Sequence, residues 1–149
     1  MKVIEIMERK PIVLAPTTTY EEATSVLYSN DVSGAPVVGE NGELVGMLSL
    51  KDLFRILYPF YSSYYDHPES YSDQENRESK VNEVKKKLIK EFMSTRLITI
   101  QPHMPVMQAG AIMLAHNVHH LPVIENKKLI GLVTKNSIYR AIIQQHLVK

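Results

Sequence analysis

The 149-residue chain contains no cysteine. Disulfide frameworks, zinc–thiolate sites and thiol catalysis are therefore excluded. Long apolar runs are missing too. No stretch approaches the roughly 18–20 residues of a membrane span, and the opening MKVIEIMERKP lacks the apolar run of a signal peptide. Charge of one sign is not in excess: 17 Lys and Arg stand against 16 Asp and Glu, for a net charge of +1. Such a balance produces no strong field and disfavours a binder of polyanions or of acidic substrates. There is no phosphate-cradling G-x-x-x-x-G-K-[ST], no nucleophile elbow and no metal-ligand set. These absences lead us to expect a soluble, cytoplasmic protein that is not an enzyme. What is present is enough apolar sequence for a core. Hydrophobic residues make up 44% of the chain, which suits one compact domain or two small fused ones.

The chain repeats itself at a shift of about 86 residues. Met7 falls on Met93, Ile12 on Ile98, Pro16 on Pro102, Ala23 on Ala109 and Val32 on Val118. Pro36-Val37 falls on Pro122-Val123. After a one-residue gap, Leu44 meets Leu129, Gly46 meets Gly131 and Arg55 meets Arg140. A repeat of this length reads as a supersecondary unit that packs against its copy because it cannot bury its apolar face alone.

Each unit has a local reading. PIVLAP (Pro11 to Pro16) and RLITIQP (Arg96 to Pro102) look like short strands stopped by proline. Thr19 and Glu22 form a capping box, and Pro105 suits a first helical turn. Ala23, Val26 and Leu27 recur at helical spacing, as do Ala109, Ile112 and Met113. Two short apolar strands follow, APVV and LVGMLS in the first copy, with Asn41-Gly42 expected to supply the positive φ angles of a tight hairpin. A last helix starts at Ser49 and again at Thr134. The expected order is strand, helix, strand, strand, helix, twice.

Three segments follow: a first repeat at 1–58, a polar insertion at 59–79 and a helix plus second repeat at 80–149. The region Tyr58 to Ser79 holds five of the eight tyrosines and little apolar periodicity, as expected of a linker or long loop. From about Glu78, Val81, Val84, Leu88 and Phe92 make one helical stripe, with Lys85, Lys86, Lys87 and Lys90 largely on the solvated side. The lysine run with the tyrosines supplies an alternative reading, a DNA-associated or structural accessory protein. Nothing aromatic is interleaved among the lysines, so nucleic acid is not favoured.

Several strings recur in order: IMERKPIVLAP and FMSTRLITIQP, VSGAPVV and VHHLPVI, LVGMLSLKDL and LIGLVTKNSI. Each copy resembles a cystathionine-β-synthase (CBS) domain, and the pair resembles a Bateman module. The resemblance covers nearly the whole chain apart from the tyrosine-rich insertion. It implies an α/β (α+β) fold in which two βαββα repeats pack with pseudo-two-fold symmetry, their small mixed sheets flanked by helices. It also implies two clefts that take an adenine nucleotide or S-adenosylmethionine as ligand, with no cofactor required. The expected partners are that small adenosyl ligand, a second copy of the chain in a homodimer, and a regulated protein; no membrane is expected.

By this resemblance, the first cleft joins Ser49 and Asp52 of one unit to Ile98, Val118, His119, His120 and Pro122 of the other. A carboxylate such as Asp52 can accept both hydrogen bonds of a ribose diol. Ile98 and Val118 suit a purine face, and the histidines can reach phosphates, more strongly when protonated. The second cleft joins Thr134 and Ser137 to Ile12, Val32, Ser33, Gly34 and Pro36. Here Ser137 stands where the family has Asp, and Ser33-Gly34 where the other copy has two histidines. The second cleft is therefore expected to be weaker, empty or tuned to a less charged ligand, with Gly34 leaving room.

Plainer readings stand beside these. Ser49 and Asp52 also make a capping-box variant, which needs no ligand. His116 and His119 share a helix face only if the helix extends that far, and no carboxylate or cysteine completes a metal set. Met104, Met107 and Met113 suit core filling or an interface. Arg55 and Arg140 can either reach phosphates or form surface ion pairs.

Overall fold

The computed structural model describes residues 1–58 and 80–148. The insertion at 59–79, and with it most of the tyrosine-rich reading, lies outside the described residues. Four elements come before it in the first half: α2 (Tyr20–Ser29), β1 (Gly34–Val38), β2 (Leu44–Ser49) and α3 (Leu50–Arg55), preceded by a short α1 (Val3–Ile6). After the insertion come α4 (Lys80–Val84), a 3-10 turn at Ile89–Glu91, α5 (Val106–His116), β3 (His120–Glu125), β4 (Lys128–Thr134) and α6 (Lys135–His146). The two halves repeat the same order, as an α/β fold with small sheets flanked by helices.

Helix starts follow the capping residues. The Glu22 backbone N–H donates to Thr19 Oγ1 at 3.2 Å, which satisfies one of the unpaired donors at the start of α2. Pro105 stands at the N-cap of α5. α2 and α5 are each followed by a left-handed residue, Asp31 and Asn117, both with φ of 53°. Short polar side chains tolerate that conformation. Because α5 stops at His116, the residues from Asn117 onward leave the helix, and His116 and His119 do not share a helical face.

β1 and β2 form one antiparallel hairpin, β3 and β4 the other. The prolines inside them cost no bond to the partner strand. Pro36 lies opposite Met47, and Met47 exchanges both its backbone bonds with Ser94 instead, at 2.9 and 3.0 Å. Pro122 lies opposite Leu132, which bonds in the same way to Glu8. PIVLAP and RLITIQP add only a single parallel bridge each, Leu14 to Val37 and Ile100 to Val123. Pro11 and Pro16 remove donors at both ends of the first segment, and Pro102 at the end of the second, which limits further pairing. The turns differ from expectation. In the first hairpin Gly42 takes a φ of 79°, while Asn41 is not left-handed; in the second, Asn126 and Lys127 are both left-handed, at 52° and 65°. The shorter ENKK loop is therefore the two-residue turn, which demands positive φ at both positions.

The expected long helix through Val81, Val84, Leu88 and Phe92 is broken. Its backbone is recruited by the start of α2: Tyr20 N–H donates to Lys87 O at 2.8 Å, and Ile89 N–H to Thr18 O at 2.8 Å. Val84 and Ile89 are fully buried, in the core of the first half with Leu27, Val37 and Leu48. The converse holds at the N-terminus. Val3 and Met7 lie in the core of the second half with Ile100, Leu121 and Val133. Each half thus receives the segment that leads into the other. Fully burying a side chain such as Val3 is worth about 1.5–3 kcal/mol, so these segments belong to the cores and do not merely decorate them.

Two glycines admit the exchanged methionines. A β-carbon at Gly46 would lie 2.5 Å from Met93 Sδ, with only Met93 side-chain atoms among its close neighbours. A β-carbon at Gly131 would lie 2.6 Å from Met7 Sδ and 2.9 Å from the backbone oxygen of Glu8. Methionine can rotate away, but the Glu8 backbone is held by its bonds to Leu132. Gly131→Ala is expected to destabilise by about 1–3 kcal/mol and Gly46→Ala by less than about 1 kcal/mol, measured by urea unfolding of the two variants. Equal losses would show that the Glu8 backbone gives way as easily as a methionine side chain.

Candidate functional site

A cavity of about 500 Å³ lies between the halves, within the range usual for small-molecule sites. Three stretches build it. The start of α3 contributes Ser49, Leu50, Lys51, Asp52 and Arg55; the segment after the 3-10 turn contributes Ser94, Arg96, Leu97 and Ile98; the run from α5 into β3 contributes Asn117 to His120 and Pro122. Ser33 and Met47 complete the wall. The structure thus gathers Ser49, Asp52, Ile98, Val118, His119, His120 and Pro122 around one space.

Ser49 and Asp52 are held by helix capping. Ser49 N–H donates to Asp52 Oδ2 at 2.9 Å, Ser49 Oγ–H donates to the same oxygen at 3.1 Å, and Asp52 N–H donates to Ser49 Oγ at 3.3 Å. Both bonds that the carboxylate accepts among the described residues fall on Oδ2. Capping and ligand contact are therefore compatible, because one oxygen anchors the side chain and leaves the other to a diol. Ile98 and Val118 are half-buried, Pro122 is buried and His119 is exposed, so the wall opposite α3 grades from apolar to polar.

The second set of candidates is placed differently. Thr134 caps α6, and Ser137 stands where Asp52 stands in α3. The Ser137 hydroxyl accepts from Thr134 N–H at 3.0 Å and donates to Thr134 O at 2.8 Å. Its single proton is thus committed to the helix. Ile12 and Val32 are half-buried against the core of the first half, and Pro36 is buried in β1. Ser33 does not keep to that set: it lines the cavity described above, with Oγ 3.0 Å from His120 Nε2. The room beside Gly34 is taken up by the His120 ring, since a β-carbon on Gly34 would lie 2.9 Å from His120 Cε1.

Sequence reasoning passed over Lys51 and Arg96 as lining residues, and left Arg55 between two roles. With them, three cationic residues and two imidazoles face one carboxylate in the cavity wall. Their positions were available as signals: Lys51 stands between Ser49 and Asp52, and Arg96 opens the strand-like segment that carries Ile98. Arginine and lysine at solvent edges are so common that position alone did not mark them.

Burial, reinforced by the neighbouring His119, pushes the His120 imidazole below its usual range. Protonation is then harder in the folded chain than in the unfolded one. The sign follows: this contribution to stability is fully present above the unfolded value of about 6.5 and is lost as pH falls from there toward the lower folded value. Stability measured between pH 7.5 and 5.5 should fall more steeply for the natural chain than for His120→Gln. Parallel slopes would show that His120 is not the group responsible.

Comparison with known proteins places this geometry. The family model of the CBS domain matches twice, over residues 3–59 and 89–144. An uncharacterised protein of Methanocaldococcus jannaschii is 28% identical over 157 aligned residues, covering 93% of both chains. Two other curated relatives are longer, and the chain spans only 14% of one, an A-adding tRNA nucleotidyltransferase of Aquifex aeolicus, and 59% of the other, CBSX1 of Arabidopsis thaliana. Among solved structures, CBSX2 of Arabidopsis thaliana in complex with AMP superimposes with a TM-score of 0.74 at 23% identity, over 97% of both chains. The CBS domain pair of protein MJ0100, in complex with 5′-methylthioadenosine and S-adenosyl-L-methionine, gives 0.73 at 23% identity, over 97% of this chain and 98% of that one. With both family matches falling on its two structural halves, the chain belongs to the CBS domain family as a tandem pair.

Proposed function

We propose that this chain is a regulatory module that binds an adenine nucleotide or a related adenosyl compound in the cavity between its repeats and relays that state to a protein partner. One observation carries the reading. The Asp52 carboxylate of one half lines the same cavity as His119 and His120 of the other, together with the half-buried apolar pair Ile98 and Val118. That set matches the parts of an adenosine ligand: a diol acceptor, an apolar slot for a flat base, and basic groups for a phosphate. AMP in CBSX2, and S-adenosylmethionine with methylthioadenosine in MJ0100, lend support as ligands of proteins with the same fold.

Under this proposal the repeats run from 1 to 58 and within 80–149, joined by the insertion at 59–79. The module is not an enzyme, requires no cofactor, works in the cytoplasm and pairs with a second copy of itself. Lys51, Arg55 and Arg96 assist the histidines toward anionic groups. Because the cavity takes contacts from both halves, a ligand favours whichever arrangement of the halves brings those contacts together, and the equilibrium shifts toward it. The second cleft, with Ser137 in place of a carboxylate, binds more weakly or not at all. No helix among the described residues is long and apolar enough to cross a membrane.

Calorimetry with AMP, ADP, ATP, NAD and S-adenosylmethionine tests the reading directly; failure of all five to bind would overturn it. Hydrogen bonds to a charged group are worth about 1.5–3 kcal/mol, so Asp52→Ala is expected to weaken the best ligand roughly ten- to hundredfold. Ser137→Ala is expected to change it by less than about threefold, because its hydroxyl already serves the helix. Equal losses in the two variants would mean that the clefts are ranked wrongly.

A further inference from the structure

One side-chain hydrogen bond that crosses between the halves lies in the cavity wall itself. Ser33 Oγ and His120 Nε2 are 3.0 Å apart, and both residues line the cavity. The imidazole lies against Gly34, where a β-carbon would come within 2.9 Å of Cε1 and 3.1 Å of Nε2. Ring and glycine fit because one copy of the repeat carries a small pair here and the other a large one.

Both partners of this bond adjoin a helix start. Ser33 C=O accepts the Leu50 N–H at 2.9 Å, and His119 C=O accepts the Lys135 N–H at 3.0 Å. Gly34 pairs with Ser49 across its hairpin, and His120 with Thr134 across the other. A single contact therefore connects the capped start of α3 with the capped start of α6.

The geometry points to a ligand-operated latch: the Ser33–His120 bond joins the two hairpins, and a ligand that bonds to His120 Nε2 from the cavity releases it. The inference rests on the proposed adenosine-binding function. A neutral imidazole has one donor and one acceptor nitrogen, so a polar ligand atom at Nε2 must compete with Ser33. Release at His120 loosens the adjoining His119 carbonyl, and through it the Lys135 amide and the Thr134–Ser137 cap. Occupancy in the cavity is thereby felt at the equivalent position of the other half, which is the differential contact that coupling between two sites requires.

Amide hydrogen exchange and calorimetry on the full chain, with AMP as the probe, test the latch. AMP is expected to speed exchange at the Lys135 amide in the natural chain. In Ser33→Ala that amide should exchange at the faster rate before AMP is added, AMP should add nothing further, and AMP should bind several-fold tighter because no latch has to open. Ser33→Thr keeps the hydroxyl and should behave as the natural chain does. AMP binding with no change at Lys135, or a threonine variant indistinguishable from the alanine one, overturns the latch and leaves the binding function standing. If AMP, ADP, ATP, NAD and S-adenosylmethionine all fail to bind, the binding function falls and the latch falls with it.

Discussion

Val3 and Met7 complete a core made by residues of the second half, and Val84 and Ile89 complete one made by the first. This reciprocal exchange is the constraint from which the rest follows. Neither repeat closes its core without a segment that leads into the other, so the halves are committed to each other before any ligand is considered. The exchange also positions the cavity. Ser94 is bound backbone-to-backbone on Met47 of β2, and the chain must then pass directly from β2 of one half toward Ile98 of the other. Arg96 and Leu97 lie on that passage, which is why they form a wall facing α3.

The second constraint is local and concerns the unlike pairs Ser33-Gly34 and His119-His120. By the repeat they occupy equivalent positions, yet in the folded chain His120 meets Ser33 and Gly34. A ring on each side would place two imidazoles where Gly34 now leaves space for one; Ser-Gly on each side would leave the junction unfilled. Close-packed interiors resist both outcomes, since voids and overlaps are each destabilising. The difference between VSG and VHH is thus a packing requirement as well as a chemical one. The His120 ring fits where it does because the small residues of the other copy make room for it.

Much of this was legible in the sequence. The repeat was visible because core residues such as Ala23 and Ala109, or Pro36 and Pro122, answer to the same packing in both copies. Helix starts at Thr19, Ser49 and Thr134 were legible because capping is a short-range matter of a side chain and an amide three residues on. What escaped was set by contacts distant in the chain. The stripe from Val81 to Phe92 has helical spacing, but Thr18 and Tyr20 capture its backbone and stop the helix at Val84. The tight turn was assigned to Asn41-Gly42 from dipeptide preference, whereas loop length placed it at Asn126-Lys127. Ser33 was allotted to one cleft by its own half's pattern, and only the meeting of the halves turns it toward His120 in the other. Lys51 and Arg96 stand beside residues that do carry a pattern, but cations at solvent edges are too common for position alone to mark them.

The two helix caps show how one structural device divides into two chemistries. Ser49 with Asp52 and Thr134 with Ser137 satisfy the same orphan amides at the same place in each repeat. A carboxylate does this with one oxygen and retains a second acceptor and a negative charge. A serine hydroxyl has one proton, and Ser137 spends it on Thr134 O while receiving the Thr134 N–H. Either residue closes the cap; Asp52 adds a favourable charge at the helix start, and beyond that the two differ by one acceptor oxygen. The residual acceptor is therefore the informative difference: a repeat that retains Asp keeps the means to hold a diol at no cost to its fold, and a repeat that has Ser keeps the helix alone. Asp52 lines the cavity that holds the imidazoles and cations, and Ser137 does not, so the acceptor is retained on the side where those groups gather.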